Sequence, residues 1–90
     1  TEDHALAAKL SLEHGVAVRY VAADMSKGDD CRRLVADAGR CDILVNNAGV
    51  QHVAPIEEFP AEQWNRILAI NLSSAFHTTA AALPGMKAKG

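Results

Sequence analysis

The sequence predicts an α/β fold, and the prediction rests on two short β-branched stretches and one long helical pattern. Residues 43–45 form a continuous apolar run between Asp42 and Asn46, which predicts a strand over residues 42–45 that is buried on both faces of a parallel sheet. Residues 16–23 alternate in side-chain character, as a strand with one less buried face does. The helical pattern covers residues 60–83. A chain of 90 residues allows one small domain at most.

The composition limits the classes of partner. A net charge of −2 without a basic cluster gives no electrostatic attraction for nucleic acid or an anionic membrane surface. No apolar run approaches the roughly 20 residues that span a bilayer, and no signal peptide is evident. We therefore expect a cytoplasmic protein whose partner is a small soluble molecule. The chain begins within a helical pattern, so we also expect it to be a piece of a longer one.

Neither the cysteines nor the histidines predict a metal site. Cys31 and Cys41 lie ten residues apart without a ligand spacing, so we interpret both as structural thiols. The four histidines include no pair spaced four residues apart on a helix, the pattern that would suggest a metal.

The first elements along the chain are a helix and a strand. Residues 1–14 predict a helix that Thr1 or Asp3 can cap and that Gly15 ends in a left-handed conformation. The strand predicted over residues 16–23 follows directly, and we place it towards a sheet edge.

Asp24 follows that strand and has two interpretations. A carboxylate at the carboxyl end of a strand is placed to accept hydrogen bonds from a ligand amine. Alternatively, Asp24 only starts the turn into the next helix, which Ser26 then caps. The residues alone favour the turn. The helix itself is predicted over residues 29–38, and Gly39 ends it.

The second predicted strand ends abruptly on polar and small residues. The amides of Asn46 and Asn47 can bond neighbouring backbone, and Gly49 lacks a Cβ, so a flat ligand could approach the backbone closely. Ligands of open α/β sheets bind beyond the carboxyl ends of the strands. An asparagine-rich turn without a ligand remains the alternative, and the residues alone do not decide between the two.

The long helix is predicted to start in the turn containing Pro60, and Pro84 should weaken its end. One face is marked by a stripe at spacings of three and four: Trp64, Ile67, Leu68, Asn71, Ala75, Phe76, Thr79 and Leu83. Asn71 is polar within this stripe. A buried asparagine needs partners for its amide, so we interpret it as either a structural hydrogen-bonding residue or part of a site.

These motifs together resemble the short-chain dehydrogenase/reductase family. The resemblance rests on residues 46–49 after a buried strand and on the Asn71-Leu72 pair in the following helix. The stretches 46–55 and 69–77 are similar to the branch that acts on D-3-hydroxybutyrate. The resemblance implies a partial Rossmann-like doubly wound parallel sheet, with residues 1–90 as the central segment of a single NAD-binding domain.

The resemblance also implies a nicotinamide cofactor. NAD is the implied form, although the residue that separates NAD from NADP follows a strand that this sequence does not include. Asp24 and Met25 would face the adenine. Asn47, Ala48 and Gly49 would line the cofactor site.

Asn71 would be the asparagine of the family's catalytic tetrad. It is expected to hold the helix in a bent form and to anchor a water in a proton relay. Gln51 would contact the acid group of the substrate, since an amide donates to a carboxylate without carrying charge. A solvated loop glutamine is the alternative. The implied reaction moves a hydride between NAD and a short 3-hydroxy acid; another hydroxy acid, a sugar or a 3-oxoacyl thioester remains possible.

Most of the implied catalytic machinery is not in these residues. The family uses a tyrosine as acid/base, a lysine that lowers its pKa and a serine that binds the substrate oxygen. Tyr20 has no lysine four residues later, and no glycine-rich phosphate loop occurs. We therefore expect the 90 residues alone to be inactive.

The implied topology separates the two predicted strands. They would be the third and fourth of the sheet, about 14 Å apart, with the first and second strands between them. We expect the isolated chain not to hold that sheet, and instead to repack or oligomerise. The family commonly buries the helix at residues 60–83 against its copy, which predicts a homo-oligomer, a tetramer. A non-catalytic segment that acts only through this helix is the second hypothesis.

Overall fold

The structure is a computed structural model that describes residues 2–90, so Thr1, one of the two candidate caps of the first helix, lies outside the described residues. The regular elements are α1 (Glu2–His14), α2 (Gly28–Ala38), a 3₁₀ turn (Ile56–Glu58), α3 (Ala61–Leu68), a π segment (Ala69–Ser73) and α4 (Ser74–Lys89). The last three follow one another without interruption and form one long helix over residues 61–89.

The two glycine stop signals are confirmed. Gly15 has φ 64° and Gly39 has φ 76°, and each follows the last residue of a helix. Only glycine adopts this region without steric cost, which is why both helices end there. The predicted cap at Ser26 is wrong, because α2 begins at Gly28 with Lys27 in the cap position and no side-chain cap bond.

The predicted strands at residues 16–23 and 42–45 are wrong for this chain, since no strand occurs within the described residues. A strand needs a neighbour to pair its backbone N–H and C=O groups, and the implied order places absent strands between these two. The side chains of Ile43 and Val45 are accordingly 82% and 76% exposed instead of buried on both faces. The doubly wound sheet is therefore not seen in this segment.

The long helix starts where predicted and ends later. Pro60 has φ −64°, and its C=O accepts the first helical hydrogen bond from the Trp64 N–H at 3.1 Å. Pro84 was predicted to weaken the end, yet α4 continues through it to Lys89. An ion pair between Lys89 and Asp42 ties this end to the segment before residue 43.

The buried face of the long helix is not the predicted one. Phe76, which the predicted stripe includes, is 67% exposed, and Asn71 is exposed as well. Residues spaced four apart are buried instead, and three of the four have small side chains: Ile70, Ser74, Thr78 and Ala82. This face turns towards α2, whose Cys31 is fully buried.

Close packing of α2 against α4 explains the preference for small residues. A Cβ placed on Gly28 would lie 2.9 Å from Nε2 of His77, so the two helices approach where a side chain is missing. Large apolar residues dominate the sequence pattern, but they have no room between these helices. They face outward instead, which leaves an apolar surface on the long helix.

Within residues 2–90, no helix combines the length and apolar character that crossing a bilayer requires. The same part of the chain contains no group of three or more His, Cys, Asp or Glu side chains placed to hold a metal ion. Cys31 and Cys41 are both free thiols, and burial raises the pKa of Cys31.

Candidate active site

The long helix changes its hydrogen-bonding pattern at the π segment, and Asn71 is the middle residue of that segment. The N–H of Ser74 donates to the C=O of Ala69, five residues earlier, where a regular α-helix bonds four residues earlier. Single π turns of this kind are frequent at functional sites. The irregular turn therefore sets Asn71 apart from the other residues of the helix.

The Asn71 side chain makes two hydrogen bonds to the backbone of one residue. Its Oδ1 accepts from the N–H of Val50 at 2.8 Å, and its Nδ2 donates to the C=O of Val50 at 2.8 Å. The side chain thereby satisfies both polar backbone groups of a residue that lies outside any helix. Asn71 thus fastens the chain just after Gly49 to the long helix.

Asn46 is held to the same helix two turns further along. Its Oδ1 accepts from Thr78 Oγ1 at 2.6 Å, and its Nδ2 donates to Thr79 Oγ1 at 3.3 Å. Thr78 is almost fully buried, whereas Thr79 is exposed. Residues 46 and 50 are therefore both tied to the long helix, and we call residues 46–50 the tethered turn.

The three residues between the tethers, Asn47, Ala48 and Gly49, are exposed. A Cβ added to Gly49 would meet only Asn71 Oδ1, at 3.7 Å, which is ordinary contact, and Gly49 does not have a positive φ. The packing of this chain therefore does not require a glycine here. The open space above the backbone fits the close approach of a flat ligand, which is what the resemblance implied for a nicotinamide cofactor.

Met25 lies beside the tethered turn. A cavity of about 360 Å³ is lined by Met25, Leu34, Val35, Ala38, Cys41, Leu44, Val45, Asn46, Asn47, Ala48, Ser74 and Thr78. Three of the predicted cofactor residues, Met25, Asn47 and Ala48, therefore share one cavity. Most of its walls are apolar, which suits a planar ring more than a phosphate.

Asp24 is engaged in the turn that precedes α2 and does not line that cavity. Its Oδ1 accepts from both the N–H and the hydroxyl of Ser26, at 3.0 and 2.6 Å. The hydroxyl of Ser26, and then its N–H, lower the pKa of Asp24 below its ordinary value of 3.8. The turn thus keeps this contact at neutral pH and loses it only in stronger acid. This is the turn-forming role that the residues alone favoured; the adenine contact remains a prediction.

Gln51 follows directly on Val50 and is exposed. Its position is set by the Asn71 tether immediately before it. The next residue, His52, packs edge-on against Phe59 with ring centroids 5.3 Å apart, which holds the chain on the other side. Gln51 is therefore an exposed amide between two fixed points, and its contact with a substrate acid group remains a prediction.

The tethered turn and Gln51 offer amide groups and open backbone to a ligand, but none of these residues is an acid or a base. Tyr20 contacts the ring of His4 on α1 at 5.0 Å between centroids, in keeping with a packing role. A tyrosine, lysine and serine supplied by other residues would be required for the chemistry.

One residue of the tethered turn, Val50, and one of its partners on the helix, Thr78, were missed from the sequence. Val50 acts through its backbone N–H and C=O, which almost every residue type has, so the sequence cannot single it out. Thr78 had a signal that we did not use: Asn71, Ser74 and Thr78 are polar residues spaced three and four apart. This spacing places them on one face of the helix, the face that meets the turn.

Comparison with known proteins places this segment among dehydrogenases. The sequence profile described as short chain dehydrogenase matches residues 1–90. A D-beta-hydroxybutyrate dehydrogenase from Cupriavidus necator is 61% identical over 79 residues, covering 83% of this chain and 31% of the relative. A D-beta-hydroxybutyrate dehydrogenase from Rhizobium meliloti is 60% identical over 77 residues, covering 81% of this chain and 30% of the relative.

A solved structure has a similar backbone. The L-sorbose reductase from Gluconobacter frateurii, complexed with NADPH and L-sorbose, aligns with a TM-score of 0.90 and 32% identity. The alignment covers 97% of this chain and 35% of the reductase. This chain thus spans about a third of the length of the relatives it matches.

Proposed function

This chain belongs to the short-chain dehydrogenase family, and from that premise we propose that it forms part of an NAD-dependent oxidoreductase that interconverts D-3-hydroxybutyrate and acetoacetate. The observation that carries the proposal is the tethered turn, which presents residues 47–49 outward from two fixed ends. The substrate rests on the two D-beta-hydroxybutyrate dehydrogenases at 61% and 60% identity. We further propose that the enzyme is cytoplasmic.

Each part of the turn has a role in this proposal. Gly49 leaves space for the cofactor, and Gln51 donates a hydrogen bond to the substrate carboxylate. Asn71 keeps the turn in place and holds a relay water near the long helix. Asn47, Ala48 and Gly49 would line the site of NAD, which would supply a hydride acceptor for the carbon that bears the hydroxyl. The proposal requires a serine and a Tyr-x-x-x-Lys motif elsewhere in the polypeptide that carries this segment.

The test uses a complete enzyme in which residues 1–90 replace the matching segment of the Cupriavidus necator relative; we call it the grafted enzyme. The 61% identity makes this exchange conservative. Its rate of NADH formation from D-3-hydroxybutyrate measures the proposed activity. Parallel assays with NADP, a sugar alcohol and a 3-hydroxyacyl thioester test the alternatives, since the L-sorbose reductase was solved with NADPH.

Replacing Gly49 with alanine tests the proposed cofactor contact. The chain has space for a methyl group at this position, so we expect no loss of thermal stability. A ligand lying against the backbone has no such space, and we expect the KM for NAD to rise about tenfold, the cost of a modest steric conflict. Initial-rate kinetics and a melting curve of the grafted enzyme measure both. Replacing Gly85, which also has open space around it, is the matched control. A KM equal to that of the parent would contradict close approach at Gly49.

The exposed apolar surface of the long helix favours a second candidate function, self-association without catalysis. Leu72, Phe76 and Leu83 are exposed there and line a shallow groove with neighbouring residues of α4. An apolar surface of this extent is typical of a subunit interface. We propose that residues 60–83 join copies of the chain into a homo-oligomer, a tetramer. Association of the 90-residue chain, combined with an inactive grafted enzyme, would favour the second function over the first.

A further inference from the structure

We propose that Thr78 is a positioning residue for the cofactor-facing turn and that its hydroxyl holds Asn46 in place. The inference rests on the proposed cofactor role of the tethered turn and names a residue that supports it. Thr78 is 3% exposed and lies on the helix face that meets the turn. A hydroxyl in such a place must find its partners within the protein.

The hydrogen-bond geometry identifies the partner. Thr78 Oγ1 lies 2.6 Å from Asn46 Oδ1, 3.0 Å from the C=O of Ser74 and 3.3 Å from the C=O of Ala75. A hydroxyl has one proton to donate, and 2.6 Å is typical of O–H···O bonds and shorter than the usual N–H···O distance. The proton therefore goes to Asn46 Oδ1. The amide nitrogen of Asn46 is then left to donate to Thr79.

The two tethers leave the turn little freedom. Asn71 holds Val50 and Thr78 holds Asn46, and only three residues lie between these two held positions. A segment this short, held at both ends, has few backbone conformations open to it. The positions of Asn47, Ala48 and Gly49 thus depend on the tether at Thr78 as well as on that at Asn71.

Replacing Thr78 with valine in the grafted enzyme tests the inference. Valine keeps the shape and removes the donor, and its methyl group leaves no space for a replacement water. We expect the KM for NAD to rise about threefold to tenfold, the effect of one lost hydrogen bond, with kcat changed less than about twofold. Hydrogen exchange at the backbone amides of residues 46–50 of the grafted enzyme, measured in a proteolytic peptide that covers them, should become faster. Thr78→Ser retains the hydroxyl, so its KM for NAD and its hydrogen-exchange rate should both equal those of the grafted enzyme with Thr78.

Thr79→Val, the same substitution at the neighbouring threonine, is the control for Thr78→Val. Thr79 is exposed, so water can replace its hydroxyl, and we expect Thr79→Val to have a smaller effect than Thr78→Val. Unchanged KM and exchange in Thr78→Val, or equal impairment in Thr78→Ser, would overturn the inference. A grafted enzyme that is inactive before any substitution would instead refute the proposed function. Hydrogen exchange can be measured on an inactive enzyme as well. Unchanged exchange of residues 46–50 in Thr78→Val would then still refute the inference that Thr78 holds Asn46.

Discussion

Replacing Asn71 with leucine in the grafted enzyme is expected to lower kcat at least about a hundredfold, as losses of a positioned proton relay do. Leucine has a similar size but can neither accept from the Val50 N–H nor donate to its C=O, so both 2.8 Å hydrogen bonds are lost. The turn would then be held at Asn46 alone. Steady-state kinetics with D-3-hydroxybutyrate and NAD measure the effect.

The control for this variant is Asn65→Leu, the same change at an exposed position of α3. We expect it to keep kcat close to the parent value. The loss of two backbone contacts should also destabilise Asn71→Leu by about 1–3 kcal/mol, so kinetics are to be measured well below the melting temperature. A folded Asn71→Leu enzyme with kcat within about threefold of the parent would refute the relay role, since proton relays contribute far more than that.

Replacing Gln51 with leucine should lower kcat/KM for D-3-hydroxybutyrate about 10- to 100-fold, because hydrogen bonds to charged groups contribute about 1.5–3 kcal/mol. Gln51 is exposed and adjoins the tethered Val50, so the substitution should leave the turn intact. The KM for NAD should consequently stay unchanged. Initial rates at varied concentrations of each substrate separate the two effects.

Two comparisons make the Gln51 result specific. Gln63→Leu on α3 makes the same change away from the turn and should not alter kcat/KM. 2-Butanol has a secondary alcohol but no carboxylate, so Gln51→Leu should oxidise it as fast as the parent does. Equal losses for the acid and for 2-butanol would show that Gln51 acts on the turn and not on the acid group. No loss for either would leave it a solvated loop residue.

The carboxyl-terminal ends of α1 and α2 could be predicted because they depend on local chemistry. Gly15 and Gly39 stop their helices through a backbone conformation that few other residues adopt, and no distant contact is needed. The predicted strands failed for the opposite reason. Ile43 and Val45 have the residue types of a buried strand, but a strand also needs neighbours, and those neighbours are not part of this segment.

Residues of the candidate site could be singled out only where their residue types form a recognisable motif. The pair Asn46-Asn47, Gly49 and Asn71 were singled out from the sequence, and the structure brings them together in one turn on one helix. Val50 could not be found, since any residue offers the same backbone groups. Thr78 was overlooked because the prediction of the buried face followed the large apolar side chains. Those side chains face outward in the structure, and the buried face contains Thr78 instead.

The central claim is that these residues serve an NAD-dependent 3-hydroxybutyrate dehydrogenase, and the activity of the unmodified grafted enzyme tests it most directly. We expect kcat/KM for D-3-hydroxybutyrate with NAD to lie within about tenfold of the Cupriavidus necator parent, a change of about 1.4 kcal/mol in transition-state stabilisation. A grafted enzyme that folds and binds NAD but no longer oxidises D-3-hydroxybutyrate, or that prefers a sugar alcohol or a thioester, would contradict the claim.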